Sequence, residues 1–260
     1  MPAQKTRKIK YMRKIILIVC LAFIASICQA QQWFDLGVKY GLSMSQLTNK
    51  NIFNDKSINQ ELDLAHSFGG KFGFNFHEFH EITIDYMSSN MNFAYTYFNE
   101  SPTESKELTL ISNEIQLFYR HNKNGTYFEI GPSITTIKSA KSSLFNADGG
   151  KIGSSEDAME FFETKYPSAV IGFGGYIFGT ENTGLTLGFR FAYSWKDVIS
   201  EVGGKDQSTY YPANASSTNP IVYDDYSGTY PFSALLVAEI NFDFAYIARA
   251  SCSRAKLVLF

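Results

Sequence analysis

This 260-residue sequence lacks several things, and each absence narrows its class. It has no basic surplus: 23 Lys and Arg stand against 25 Asp and Glu, a formal net charge of −2. Nucleic-acid binders carry such a surplus, so no nucleic-acid partner is expected. It has only three cysteines, and two of them, Cys20 and Cys28, fall in the first thirty residues. The remaining Cys252 has no internal partner, which excludes a disulfide-stapled fold. Beyond residue 30 no uninterrupted apolar run approaches the 18 residues that mark a membrane-spanning helix. Apolar content is nevertheless 45%, too high for a disordered chain. One class is in excess: 23 Phe, 16 Tyr and 2 Trp make 16% of the chain aromatic.

The first thirty residues stand apart. Lys5, Arg7, Lys8, Lys10, Arg13 and Lys14 form a basic start, and residues 15–27 form an apolar stretch of 13. Cys28 and Ala30 then place small residues at −3 and −1 of a cut before Gln31. That is the pattern of a secretory signal peptide, too short to span a bilayer as a helix. Met12 offers a second start for the same signal, and a lipoprotein cut before Cys28 is disfavoured by the bulk of Ile27. Losing six basic and no acidic residues leaves 17 basic against 25 acidic, so the exported chain of 230 residues carries −8.

The rest of the sequence alternates with period two, the signature of strands. Leu36, Val38, Tyr40, Leu42 and Met44 alternate with Asp35, Gly37, Lys39, Gly41 and Ser43. The same pattern recurs over residues 67–76, 81–86, 107–120, 126–138, 168–179, 185–196 and 232–246. In 107–120 the first half is out of phase, which predicts a β-bulge. The eight candidates are mostly long enough to cross a bilayer at a tilt. Their connections alternate in length. Residues 77–80, 122–125 and 181–184 are tight turns, whereas 45–65, 139–167 and 197–231 are long loops of 21, 29 and 35 residues; 98–106 is intermediate. An even strand number with short and long connections in alternation predicts an all-β fold, an eight-stranded antiparallel up-and-down transmembrane β-barrel with both termini in the periplasm. The expected organisation is a signal peptide (1–30), a barrel (31–247) and a C-terminal periplasmic tail (248–260). Outer-membrane lipid is then the expected surroundings. The terminal Phe260 is the kind of end read by the barrel-insertion machinery.

The aromatics are expected at the strand ends, as two interfacial girdles. Trp33, Phe34, Phe76, Tyr119, Phe128, Phe244 and Tyr246 fall near the turn side; Tyr95, Tyr193, Trp195 and Phe232 fall near the loop side.

Residues 111–120 (ISNEIQLFYR) and 127–132 (YFEIGP), joined by a tight turn, resemble the paired central strands of the PorT-like outer-membrane β-barrel family of Bacteroidetes. The opening LGVKYGLS (36–43) directly after the leader fits that family too. Its usual proline in the first paired strand is replaced by Gln116. The resemblance implies an eight-stranded outer-membrane barrel and no single activity, although a few members serve type IX protein secretion.

Alternation points Asp35, Lys39, Lys71, Glu81, Asp85, Glu114, Glu129, Arg190, Lys196, Glu239 and Asp243 into the lumen. A barrel of eight strands is only wide enough for its own side chains, and buried charges must pair. A lumenal salt-bridge network is therefore expected, with Arg190 and Lys39 or Lys71 bridging Glu129, Glu239 and Asp85. It is expected to act as a polar plug; a gate for a narrow pore is the competing expectation. No catalytic set is expected, no cofactor and no metal site. Three of the four histidines, His77, His80 and His121, fall at periplasmic turns, where His77 and His80 flank one turn, and His66 lies apart; surface polar residues are expected. Functional weight falls on the loops. Residues 155–166 carry Met159, Phe162 and Tyr166 at helical spacing, predicting a short helix over the mouth. Residues 197–231 are rich in Tyr, Ser, Asn and Gly. Loops 139–167 and 197–231 are the candidate surfaces for an extracellular or secretion-system protein.

Overall fold

The computed structural model describes residues 32–76, 79–98, 104–146, 148–180, 182–212, 221–250 and 254–259. The leader expected over 1–30 lies outside the described residues. In chain order the elements are β1 (Gln32–Thr48), a one-turn helix α1 (Lys50–Asn54), β2 (Ile58–Leu62), β3 (Leu64–Phe76), β4 (His80–Tyr97), β5 (Glu104–Lys123), β6 (Thr126–Phe145), β7 (Lys151–Asp157), a 3-10 turn (Met159–Phe161), β8 (Lys165–Gly179), β9 (Thr183–Ser194), β10 (Tyr230–Ala250) and β11 (Arg254–Leu259).

Eight of these strands form one ring. The order β1-β3-β4-β5-β6-β8-β9-β10 is antiparallel at every step, and β1 pairs back onto β10 from Gln32↔Ile247 to Thr48↔Tyr230. Closure leaves no edge with unpaired N–H and C=O groups, the condition for crossing lipid with strands. Between β5 and β6 the hairpin is made by Asn124 and Gly125, both at positive φ (53° and 76°). That is the two-residue turn whose twist matches the strands it joins.

The strand β4 shows what the sequence dictates. In its first half Glu81, Thr83 and Asp85 point inward and Ile82, Ile84 and Tyr86 point outward. In its second half the phase is unchanged but the chemistry inverts. Met91, Phe93, Tyr95 and Tyr97 are now inside, and Asn90, Asn92 and Thr96 outside. β5 does the same: Leu108 and Leu110 are buried inside above Ser112, Gln116 and Arg120. The turn-side half is thus a barrel for lipid, polar within and apolar without. The loop-side half of these strands is built as a protein for water. Around the turn-side half Leu36, Val38, Ile115, Leu117, Ile130, Ile134, Phe173 and Phe189 form an exposed apolar belt. Such a belt is stable only against lipid, and the protein is an eight-stranded transmembrane β-barrel.

Three sequence expectations are revised here. The irregularity expected within 107–120 is not in β5, whose even-numbered residues face inward throughout. The register shift between Ile111 and Ser112 is taken up on β6, where Ser112 pairs with Ile137 and Ile111 with Ser139. What looked like a phase break was the inversion of polarity. The helix expected over 155–166 is the end of β7 followed by a single 3-10 turn. Lastly, the tail expected from residue 248 contains strand: β10 continues beyond its last ring pair, Ile247 with Gln32, to Ala250, and β11 folds back against Ala245–Ala250.

The loop side carries an ordered cap. Leu47, Ile52, Ile58, Phe93, Tyr95, Leu110, Ile137, Phe162, Val198, Ile199 and Tyr211 pack into one buried cluster that fills the mouth. Two loops are tied over it by Asn49. Its Oδ1 accepts from the N–H groups of Asn51 (2.9 Å) and Ile52 (3.2 Å) and from the Tyr210 hydroxyl (2.9 Å); its Nδ2 donates to Ser227 O (2.7 Å) and Thr229 Oγ1 (2.9 Å). Asn49→Ala strands several buried partners at once. It is expected to cost about 1–3 kcal/mol of cap stability, visible as faster protease cleavage within 197–231 on intact barrels. A second clasp is Asp55. Partial burial opposes its ionisation, but hydrogen bonds from Ser57 and from the Tyr223 hydroxyl (2.9 Å) outweigh burial and hold its carboxyl below the usual range. The clasp therefore contributes fully above the ordinary carboxylate pKa and is lost only as pH falls through the depressed value. Protease resistance of the cap is expected to persist through mildly acidic pH; Asp55→Asn, which cannot ionise, is expected to lower that resistance at neutral pH and to add no further loss on acidification through this group.

Candidate functional site

The lumen of the turn-side half holds the densest chemistry in the chain. Six charged side chains from six strands close a ring of alternating sign. Glu239 (β10) binds Lys39 (β1) at 2.7 Å, and Lys39 binds Asp85 (β4). Asp85 accepts from Arg190 (β9) at 2.8 Å, and Arg190 Nε donates to Glu129 (β6) at 2.5 Å. Glu129 accepts from Arg120 (β5) at 2.9 Å. Arg120 closes the circle as a fork, with its two terminal nitrogens on the two oxygens of Glu239 at 2.9 and 3.0 Å. Lys71 (β3) attaches on one side, at 2.6 Å from Glu81, 2.8 Å from Asp35 and 3.1 Å from Glu239. All of these side chains are buried.

The strand register makes the ring. Lys39 is the cross-strand partner of Glu239 and Arg120 of Glu129, whereas Lys71, opposite Asp85 in the register, reaches to Glu81, Asp35 and Glu239. β8 contributes a gap instead of a charge: Gly172 lies between Glu129 and Arg190 in the register. A Cβ there would meet Glu129 Oε1 at 2.6 Å and Arg190 Cγ at 3.1 Å. Gly172→Ala is expected to cost about 1–3 kcal/mol by forcing that pair apart. Gly175→Ala, where the nearest atom is 3.4 Å away, is the control; urea unfolding in lipid vesicles measures both. Each ring charge has an opposite charge on either side, so the desolvation of one is offset by two neighbours. Aromatic faces cover what remains: the Arg120 guanidinium lies 4.3 Å from the Tyr127 ring centroid and that of Arg190 4.4 Å from Phe118.

The charged residues expected in the lumen separate into three groups. Asp35, Lys39, Lys71, Glu81, Asp85, Glu129, Arg190 and Glu239 are brought together in the network. Glu114 is adjacent to it and accepts from Gln116 at 2.8 Å, and Asp243 stands at the turn-side opening opposite Asp35. Lys196 is outside it, in the cap, where it pairs with Glu163 at 2.9 Å. Arg120 was missed, although its alternation with Gln116 and Glu114 carries the same signal that marked the others.

The expected aromatic girdle is distributed more widely. Tyr119, Tyr193 and Trp195 are on the outer surface. Phe244 packs outward with Phe34 and Phe72, and Phe76 stacks on Phe74 and His80. Trp33 lines the turn-side lumen instead. It shares the inward phase of Asp35 and Lys39 on β1, so of the adjacent pair only Phe34 is on the outer wall; the register shift beside it is taken up on β10, where Phe244 is skipped, and Trp33 pairs with Tyr246 at the rim. Tyr95 is buried in the loop-side cluster, because the inward phase of β4 continues to its end. His80 and His121 face each other across strands with rings 5.2 Å apart, and His77 lies outside the described residues. Among the described residues no three His, Cys, Asp or Glu side chains converge as a metal site.

Viewed along its axis the lumen has three storeys. An open vestibule of about 260 Å³ at the turn side is lined by Trp33, Asp35, Asn75, Tyr127 and Asp243. The charge ring follows. Above it a gap of about 20 Å³ beside Ser43, Ser89 and Arg190 has room for about one water, and then the apolar cluster begins.

No protein-family model matches this chain, and none of the curated proteins matches it. Among solved structures it is similar to Neisserial surface protein A (13% identity, 81% of this chain and 97% of that one, TM-score 0.39). It is also similar to Ail, the attachment invasion locus protein of Yersinia pestis, in complex with the heparin analogue sucrose octasulfate (11%, 82% and 100%, TM-score 0.37). A third is the outer membrane protein OprG of Pseudomonas aeruginosa (10%, 83% and 98%, TM-score 0.38). The fold assignment rests on the closed ring of strands and not on these likenesses.

Proposed function

We propose that this protein is an exported outer-membrane barrel with a sealed lumen, whose role is structural or lies in the surface its loops present. The observation that carries this is the double closure. A ring of paired charges and an apolar cluster block the lumen in series, while the strands beyond the belt support an ordered cap. Material spent on closing the lumen cannot conduct, and the chemistry left facing solvent is in the loops. Val202 and Val222 in the last long loop and Phe98 at the tip of β4 are exposed apolar groups of the kind protein partners cover. The cap loops 139–167 and 197–231 are the surfaces such a partner would meet. Residues 111–120 and 127–132, which resemble PorT-like barrels, form the β5–β6 hairpin, and they add architecture to this reading without adding an activity. Planar-bilayer recording tests the closure. The purified barrel is expected to insert silently, and stepwise ion currents through it would replace this reading with that of a narrow pore.

A further inference from the structure

On the outer wall, at the upper margin of the apolar belt, lies a cavity of about 330 Å³ that the sealed lumen does not explain. Its height follows from the register. On β1 the outward apolar series ends at Met44 and is followed by Gln46 and Thr48, which line the cavity. Gln46 pairs with Phe232, and Phe232 with Tyr193, which also lines it. The cavity is therefore level with lipid headgroups, not acyl chains.

Its lining is chemically one-sided. Lys50, Asn54, Gln60, Tyr193 and Tyr230 offer an ammonium, two amides and two phenols, and Phe53, highly exposed, stands at the edge. No Asp or Glu is among the lining residues, although acidic residues outnumber basic ones beyond residue 30 by 25 to 17. Among the described residues the Lys50 ammonium has no acidic partner. A donor-rich, acid-free hollow beside the bilayer suits an anion that arrives attached to lipid. Its volume lies within the range of ligand sites of about 300–1,000 Å³ and is generous for a free ion. Aromatic rings at this depth favour the interfacial part of the same molecule.

We propose that this cavity is a binding site for a phosphorylated lipid headgroup of the leaflet on the loop side, with Lys50 neutralising the phosphate and Tyr193 and Tyr230 flanking it. It rests on the membrane-barrel reading above. The full-length barrel, purified in detergent, is mixed with lipid A or with its dephosphorylated form, and lipid retention is read by native mass spectrometry. Wild type is expected to retain lipid A about fivefold more than the dephosphorylated form, the scale of one cation near a charged headgroup. Lys50→Ala removes that preference, Lys50→Arg restores it, and Lys151→Ala on the exposed β7 leaves it unchanged. Equal retention of the two lipids by wild type, or an undiminished preference in Lys50→Ala, overturns the site. Displacement of lipid A by millimolar inorganic phosphate would show a free-anion site and likewise overturn it. Heat-modifiable gel mobility of the same samples separates the two levels. If it is intact while the preference is missing, only the site fails; if it is lost, the membrane reading fails with it.

Discussion

Replacing Glu239 by Gln is expected to be the most damaging conservative change in the barrel, lowering its stability by at least about 3–5 kcal/mol. Glu239 is the hub of the lumen: Lys39, Lys71 and Arg120 all contact its carboxylate, at 2.7, 3.1 and 2.9 Å. The amide keeps the shape but withdraws the charge that three buried cations share. Lys39 then retains Asp85, Lys71 retains Asp35 and Glu81, and Arg120 retains Glu129. Each of the three loses a direct buried anionic contact that a neutral amide cannot replace, and Lys39 and Arg120 are each left with one close carboxylate that they share with Arg190. Urea unfolding in vesicles measures the loss. A paired change, Lys39→Met with Glu239→Gln, removes one cation along with the anion and is expected to recover part of it, because breaking a buried pair costs more than deleting it. A Glu239→Gln barrel as stable as wild type would show that the ring contributes nothing net.

Phe93→Ala is expected to cost about 3–5 kcal/mol as well, but in a different part of the molecule. Phe93 is fully buried in the loop-side cluster with Tyr95, Leu108 and Ile137. The chain supplies a reporter at each end: Trp33 at the turn-side vestibule and Trp195 at the loop-side surface. In a Trp33→Phe background the Trp195 fluorescence transition is expected to move to lower urea on Phe93→Ala. In a Trp195→Phe background the Trp33 transition is expected to move far less. Coincident shifts would mean that cap and barrel unfold as one unit. The same variant is expected to remain electrically silent, since the charge ring below the cluster is untouched; conduction should require that both seals be broken.

The sequence carried the barrel plainly and the upper part of the molecule poorly, for one physical reason. Alternation reports which residues share a face, but it does not say which face is inside. Below Tyr86 the assumption that apolar means outward is right, and Lys39, Glu129, Arg190 and Glu239 fall on the lumen side. Above it the same assumption fails: Phe93, Tyr95, Leu108 and Leu110 are apolar and inside. The strand candidate at 81–86 therefore stopped short of β4's end at Tyr97, and Tyr95 was placed in a girdle. Arg120 was legible and overlooked. The pairing of Glu239 with Lys39 was open to a pattern argument, but the ring depends on the register of all eight strands, which no single segment encodes. Gly172 reads as an ordinary strand glycine until its neighbours across two strand boundaries are known.

The inversion of polarity along β4 and β5 also fixes how deep the protein sits. In many barrels a vertical slip of one residue pair exchanges apolar side chains for similar ones at little cost. Here a slip downward by one pair would carry Ser88 and then Asn90 into hydrocarbon, and a slip upward would lift Ile84 and Tyr86 into water. The two halves of a single strand oppose displacement in both directions. In a bilayer thicker or thinner than its belt this protein should hold its level, and the lipid around it should stretch or thin instead.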